Sequence, residues 1–165
     1  MHEMELIGVR VEMPTNAPMV LLRERGGEGR TVPIYIGAPE ATAIALALDG
    51  VDTPRPMTHD LLRDILEELA VDVERVVVTD LHDKTFFAEI HMVRDGEAHV
   101  VSSRPSDAIA LAARTGTPIF AATSVIDDVG YTDADEATPD GPPAEEVVEE
   151  FKEFLDNITP EDFED

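Results

Sequence analysis

Two short segments of the sequence combine an arginine, a proline, a hydroxyl and a carboxylate in the same order. They read RPMTHD at residues 55–60 and RPSD at residues 104–107. A guanidinium binds carboxylates and phosphates through its planar fork, and the free N–H groups of a helix start also attract anions. If the fold brings the two segments together, Arg55 and Arg104 form one anion site. Alternatively, each arginine pairs with a carboxylate of the other segment and holds loops in place.

The hydroxyl residues of both segments have two interpretations. Proline is frequent in the first turn of a helix, and Ser and Thr cap helix starts, so Pro56, Pro105 and Thr58 are expected to begin or cap the two helices. In a functional site, the same hydroxyls would contribute to binding a substrate.

The chain lacks the common motifs of nucleotide, metal and acyl-transfer sites. It has no Walker loop and no Gly-x-Gly-x-x-Gly, HExxH or Gly-x-Ser-x-Gly pattern. Zero cysteines exclude disulfides and thiolate zinc sites, which fits a cytoplasmic protein. With no run of about 18 apolar residues and no signal-peptide pattern, no membrane segment is predicted.

The elements that must position these residues follow the same order in both halves of the chain. Three strands and then a helix are predicted over residues 4–50, and again over residues 71–116. Both helices contain the pentapeptide AIALA, which favours two related β-β-β-α units in one compact domain. Consecutive strands favour antiparallel pairing, so the predicted fold is α+β, with mixed or antiparallel sheets and packed helices.

An extra helix is predicted between the two units from an apolar stripe. The residues at helical spacing are Leu61, Leu62, Ile65, Leu66 and Leu69. His59 falls in the first turn of this helix, off the stripe and beside Asp60. The positive end of the helix favours a neutral imidazole, which accepts a proton or binds a metal. The alternative is a partly exposed histidine with no functional role.

The net charge of −24 is concentrated toward the C-terminal end. From Asp127 onward there are 16 acidic residues and one base, Lys152. Residues 131–165 are therefore predicted as an acidic linker and an amphipathic C-terminal helix, outside a domain at residues 1–130. That helix has an apolar stripe suited to a subunit contact in a homo-oligomer, formed by Val147, Phe151, Phe154 and Ile158.

The segments VPIYIGAPEATAIALAL, RPMTHDLL, VVVTDLHDKTFFAEI and SSRPSDAIALAARTGTPIF together resemble the bifunctional nuclease domain family. The resemblance runs from about Met4 to about Val129, and the remaining tail is similar to that of actinobacterial members. It implies an α+β domain that hydrolyses DNA and RNA, without a settled set of catalytic residues. The residues within its strongest motifs are Glu40, Arg55, Thr58, His59, Asp60, Asp80, Arg104, Ser106 and Asp107.

If the chain is a nuclease, we expect catalysis by His59, Asp60 and Asp107. A divalent metal, Mg²⁺ or Mn²⁺, would be held by the two aspartates together with Glu40, and His59 would position or deprotonate the attacking water. The residues expected to bind substrate are Arg55, Arg104, Thr58 and Ser106.

The net charge argues against tight binding of nucleic acid. Affinity for nucleic acid comes largely from Lys and Arg that neutralise phosphates, so a charge of −24 predicts weak, salt-sensitive binding. The alternative function is a non-enzymatic module that binds an anionic ligand or a partner protein through the Arg-Pro segments. A third interpretation makes the domain an interaction protein in which these residues are structural.

Overall fold

The computed structural model describes residues 1–132, which fold into seven strands and four helices. In chain order these are β1 (His2–Glu12), β2 (Ala17–Glu24), β3 (Thr31–Tyr35), α1 (Ala38–Leu48), α2 (Thr58–Glu68), β4 (Asp72–His82), β5 (Thr85–Arg94), β6 (Glu97–Ser103), α3 (Pro105–Thr115), β7 (Ile119–Ala121) and α4 (Thr123–Val129). The α+β prediction is confirmed, and the three-strand-then-helix order is present in both halves. The predicted acidic C-terminal helix lies outside the described residues. No helix in residues 1–132 has the length and apolar composition to cross a membrane.

The seven strands form one sheet in the order β3-β2-β1-β7-β4-β5-β6. Each half contributes an antiparallel meander, and β7 joins the two meanders by pairing antiparallel to β1 and parallel to β4. The sequence did not predict β7, because three residues are too few for a strand pattern. The strands of both β-β-β-α units therefore belong to one mixed sheet.

Helices α1 and α3, which share the AIALA sequence, pack against each other. Ile44 of α1 and Ile109 and Leu111 of α3 are fully buried. Alanines such as Ala43 and Ala110 are also buried, and their small side chains let the two helix backbones approach closely. The pair covers the buried valines of β2 and β4 and forms the centre of the core.

Helix α2 forms as predicted, but a different side of it faces the protein. His59 is buried at 8% exposure, and Leu62 and Leu66 pack against the core. Leu61 and Ile65, from the predicted stripe, are 51% and 47% exposed. Positions 59, 62 and 66 have helical spacing, so the expectation that His59 lies off the buried side is wrong.

Helix α4 replaces the irregular segment that the sequence predicted from Thr123 onward. Val125 and Ile126 are 1% and 0% exposed and belong to the core. Burial of two adjacent branched side chains outweighs the weak helical signal of a seven-residue segment. The helix ends at Val129, and its C-cap Gly130 precedes an isolated bridge between Thr31 and Tyr131.

Candidate active site

The starts of α2 and α3 bring the two predicted segments together. Pro105 opens α3 with Arg104 as the extended N-cap residue, and Met57 holds the same place before α2. The side chain of Asp60 accepts a hydrogen bond from the Met57 backbone N–H at 3.0 Å, which closes the first turn of α2. Thr58 is therefore the first helical residue of α2 and not its cap.

The central interaction of the site joins His59 to Asp107 of α3. His59 Nε2 lies 3.1 Å from Asp107 Oδ1. Arg104 donates to the same carboxylate twice, from Nε to Oδ2 at 2.8 Å and from a terminal nitrogen to Oδ1 at 3.0 Å. An ionised carboxylate accepts hydrogen bonds and donates none, so this network assigns the proton of a neutral His59 to Nε2 and leaves the lone pair on Nδ1.

The pKa of Asp107 lies below its ordinary value because two donors outweigh its burial. Burial alone would raise the pKa, while hydrogen bonds from Arg104 and His59 lower it. Asp107 is therefore an anion at neutral pH. An ionised carboxylate that orients an imidazole is the arrangement that prepares a general base.

Arg104 also connects the site to the first turn of α1. A terminal nitrogen of its guanidinium lies 2.9 Å from Glu40 Oε1, and the Arg104 side chain is 65% exposed. A guanidinium has five N–H donors, and the contacts to Asp107 and Glu40 use three of them. Two donors of Arg104 therefore remain for a ligand.

Asp60 is bound by an arginine that the sequence did not suggest. Arg114, in the last turn of α3, donates to Asp60 Oδ1 and is 5% exposed. Its other nitrogens donate to the backbone carbonyls of Ala110 at 2.9 Å and Ala43 at 3.1 Å. One buried side chain thus joins α1, α2 and α3. The sequence gives little indication of this role. Its only sign is an arginine near the end of a helix that is otherwise rich in alanine.

The effect of pH on stability provides a test of the Asp60–Arg114 pair. The hydrogen bond from Arg114 is the main reason that the pKa of Asp60 lies below its ordinary value. A lowered carboxyl pKa stabilises the fold above the unfolded-state value, and this stabilisation is lost as the pH falls through the folded-state value. In urea unfolding from pH 7 to about pH 3, we expect the stability difference between the wild type and Asp60→Asn to shrink below about pH 4. A difference that stays constant over this range would contradict the assignment.

The structure does not bring Arg55 into this network. Arg55 is exposed, and its guanidinium makes no hydrogen bond or ion pair with any other residue of the 1–132 region. Arg104 pairs with the aspartate of its own segment, and Asp60 pairs with Arg114. Neither interpretation of the two Arg-Pro segments therefore describes the geometry in full.

A groove with apolar walls leads to His59 and Asp107. Its volume is about 570 Å³, and it runs between α2 and strands β5 and β6. The apolar lining residues are Leu61, Leu62, Ile65, Leu66, Ile90, Met92, Val101 and Leu111. The hydroxyl oxygen of Ser103, another lining residue, is buried and has no hydrogen-bond partner among residues 1–132. The groove gives His59 a low-dielectric wall, in which electrostatic interactions are stronger than in water.

The carboxylates proposed as metal ligands are already engaged with cations. Asp60 binds Arg114, while Asp107 and Glu40 bind Arg104. In the region that the structure describes, no three His, Asp or Glu side chains are arranged to hold a metal ion. Mg²⁺ or Mn²⁺ would have to compete with arginines for the same oxygens. We therefore derive no catalytic step through a metal.

Comparisons with known proteins place most of the described residues in one family. Residues 20–133 match the model of a family described as Bifunctional nuclease domain. An uncharacterized protein of Mycobacterium tuberculosis is 44% identical over 165 residues, which cover 99% of this chain and 98% of the relative. Bifunctional nuclease 2 of Arabidopsis thaliana is 29% identical over 112 residues, 65% of this chain and 34% of that protein. Bifunctional nuclease 1 of the same plant is 28% identical over 105 residues, 62% of this chain and 32% of that protein. The chain thus aligns with about a third of each plant relative.

Proposed function

Because the chain belongs to the bifunctional nuclease domain family, we propose that it hydrolyses phosphodiester bonds of nucleic acid at the site formed by His59, Asp107 and Arg104. The observation that carries the proposal is the Oδ1 atom of Asp107, which binds both the imidazole and the guanidinium. A potential base and a phosphate-binding cation are therefore held next to each other by one carboxylate oxygen.

In this proposal, His59 acts as the general base. Asp107 holds the proton on Nε2, so Nδ1 is free to accept a proton from the attacking water. The water oxygen then bonds to phosphorus, the bond from phosphorus to the leaving oxygen breaks, and the leaving oxygen takes up a proton. Asp107 stabilises the imidazolium that forms, in the way a carboxylate supports the histidine of a catalytic triad.

Arg104 and Ser106 are the proposed contacts to the phosphate. Arg104 retains two unused donors on an exposed guanidinium, and these suit the developing negative charge of the transition state. Ser106 follows one residue after Pro105 in the first turn of α3. Arg55 and Thr58 are exposed near the start of α2 and would contact more distant parts of the substrate.

Asp60 is proposed to act through position and not through chemistry. Both of its oxygens are engaged, one with Arg114 and the other with the Met57 N–H. By closing the first turn of α2, Asp60 fixes the residue next to it, His59, against Asp107.

Cleavage by purified protein tests the proposal directly. Labelled single-stranded RNA and double-stranded DNA are incubated with the wild type in Mg²⁺, in Mn²⁺ and in chelator, at low salt because the chain carries a charge of −24. We expect Arg104→Ala to lower kcat/KM by a factor of about 10² or more, since it removes a donor to the transition state. Arg55→Ala, prepared identically, should lower it by less than about tenfold.

The outcomes of this assay separate the two candidate functions. Cleavage that is lost in Arg104→Ala and kept in Arg55→Ala supports a nuclease site at α3. Equal cleavage by all preparations indicates a contaminating nuclease and overturns the site. If the wild type cleaves under none of the metal conditions, a binding module is the remaining function. If it cleaves with a metal ion but not in chelator, the activity depends on a metal.

A further inference from the structure

A second cavity opens at the starts of α1 and α3, and Arg104 is among its lining residues. Its volume is about 370 Å³. Tyr35 lines it from the end of β3, Gly37 from the β3–α1 connection, Lys84 and Phe86 from the β4–β5 hairpin, and Arg104 and Ser106 from the start of α3. The proposed function uses Arg104 and Ser106, but it does not explain Lys84 or the two aromatic side chains.

The side chains that line this cavity include donors suited to an anion. Two helices of eleven residues each begin at it, and a helix start carries about half a positive charge. Lys84 and Arg104 add two cations, and none of its lining residues within the described part of the chain is Asp or Glu. Arg104 is paired with two carboxylates, Asp107 and Glu40, so Lys84 brings the sum of these four charges to zero. The cavity therefore attracts a phosphate through the N–H donors of Lys84 and Arg104 and not through an excess of positive charge.

Ser106 offers the cavity a hydroxyl that can bind a ligand. The residue is 5% exposed and lines the cavity. Within residues 1–132, the buried side-chain polar atoms without a partner are Arg75 Nε and Ser103 Oγ, so the Ser106 hydroxyl is reached by solvent. A ligand oxygen in the cavity could replace water as its hydrogen-bond partner.

The backbone at Lys84 has a conformation that is costly for a lysine. Asp83 and Lys84 form the two-residue turn between β4 and β5, with φ angles of 48° and 62°. Turns of this kind favour glycine at the second position, because a side chain in the left-handed region is strained by about 1 kcal/mol or more. A strained residue at the mouth of a cavity motivates a functional hypothesis.

We propose that this cavity binds one nucleotide of a single-stranded nucleic acid, with its phosphate on Lys84, Arg104 and Ser106 and its base against Tyr35 and Phe86. The inference rests on the proposed function and adds the substrate class. Tyr35 is 55% exposed, and its hydroxyl donates to Glu12 Oε1 at 2.9 Å, which fixes the ring at the rim. Aromatic rings beside cations are the common means of binding unpaired bases, and a base in a duplex does not expose its face.

Binding of a labelled single-stranded oligonucleotide, followed by fluorescence anisotropy in chelator at several salt concentrations, tests the phosphate contact. We expect Lys84→Gln to raise Kd by about fivefold and to reduce the slope of log K against log salt by about 0.7, the value for one phosphate of a single strand. Arg94→Gln is the matched control, because it removes an exposed cation from the β5–β6 hairpin, where Arg94 is 50% exposed on its side chain. It should change Kd by less than about twofold.

The base contact is tested separately with Tyr35→Leu and an abasic oligonucleotide. Leucine keeps an apolar side chain but removes the aromatic face, so Kd for the normal strand should rise by about fivefold or more. Kd for the abasic strand should stay unchanged, because only its phosphates can bind. Equal weakening for both strands would overturn the base contact.

Stability gives a readout that a purely structural role of Lys84 would not produce. Lys84→Gly relieves the strained turn, and we expect Tm to rise by about 2–4 °C while oligonucleotide binding weakens as in Lys84→Gln. A wild type that binds no single strand, or Lys84 and Tyr35 variants that bind it normally, overturn the inference even if cleavage is observed. Binding with these dependences but without cleavage would instead refute the nuclease and leave the nucleotide site in place.

Discussion

Replacing Asp107 with asparagine is expected to lower kcat for phosphodiester cleavage by a factor of about 10² to 10⁴, the range for loss of general-base catalysis. The amide keeps the size of the carboxylate but removes the negative charge between Arg104 and His59. It can also donate a hydrogen bond to Nε2, which would favour the histidine tautomer with its proton on Nδ1. Both effects remove the base, whereas KM should change little because Arg104 and Ser106 remain.

His59→Ala and a double variant extend this test. If His59 and Asp107 act as a unit, the double variant should be no slower than the slower single variant, since the second change removes a function already lost. Asp127→Asn is the matched control: it alters another aspartate–arginine pair, with Arg30 at 2.8 Å, away from the site. Full activity in both His59→Ala and Asp107→Asn would rule out the proposed chemistry.

Most of the secondary structure was predictable because it depends on local patterns. Alternating and helical spacing of apolar residues indicated both meanders and helices α1, α2 and α3. The rotation of α2 was not predictable, because either side of a helix rich in leucine is apolar enough to be buried. Packing against α3 selects the side with His59, Leu62 and Leu66 and leaves Leu61 and Ile65 beside the groove.

The candidate site was predictable in its residue types and not in its pairings. The sequence placed His59 and Asp107 in separate helix starts, and their 3.1 Å contact depends on residues 48 positions apart. The same limit concealed the role of Arg114, which lies 54 residues from Asp60. Ion pairs of this kind are set by tertiary packing, for which a single sequence carries no periodic signal.

Loss of Arg114 should destabilise the protein strongly. Removing one partner of a buried ion pair costs about 3–5 kcal/mol, and the 21% exposure of the Asp60 side chain favours the lower end of that range. Arg114→Leu removes the partner of Asp60 and the donors to Ala43 and Ala110, so we expect a loss of that size in urea unfolding. Arg63→Leu is the control, because its pair with Asp64 is partly exposed on α2 and should contribute less than about 1 kcal/mol.

The same variants decide whether Asp60 is catalytic or positions α2. If Asp60 only positions α2, the Asp60→Asn variant should be less stable than the wild type. Its cleavage activity should then recover at low temperature, where the folded state is populated. Asp60→Asn and Arg114→Leu would then show non-additive losses of stability, because both break one interaction. If Asp60 is a base or a metal ligand, the Asp60→Asn variant should fail to cleave at every temperature. The Arg114→Leu variant should then keep its cleavage activity at any temperature at which it is folded. Because both oxygens of Asp60 are engaged with Arg114 and Met57, we expect the first result.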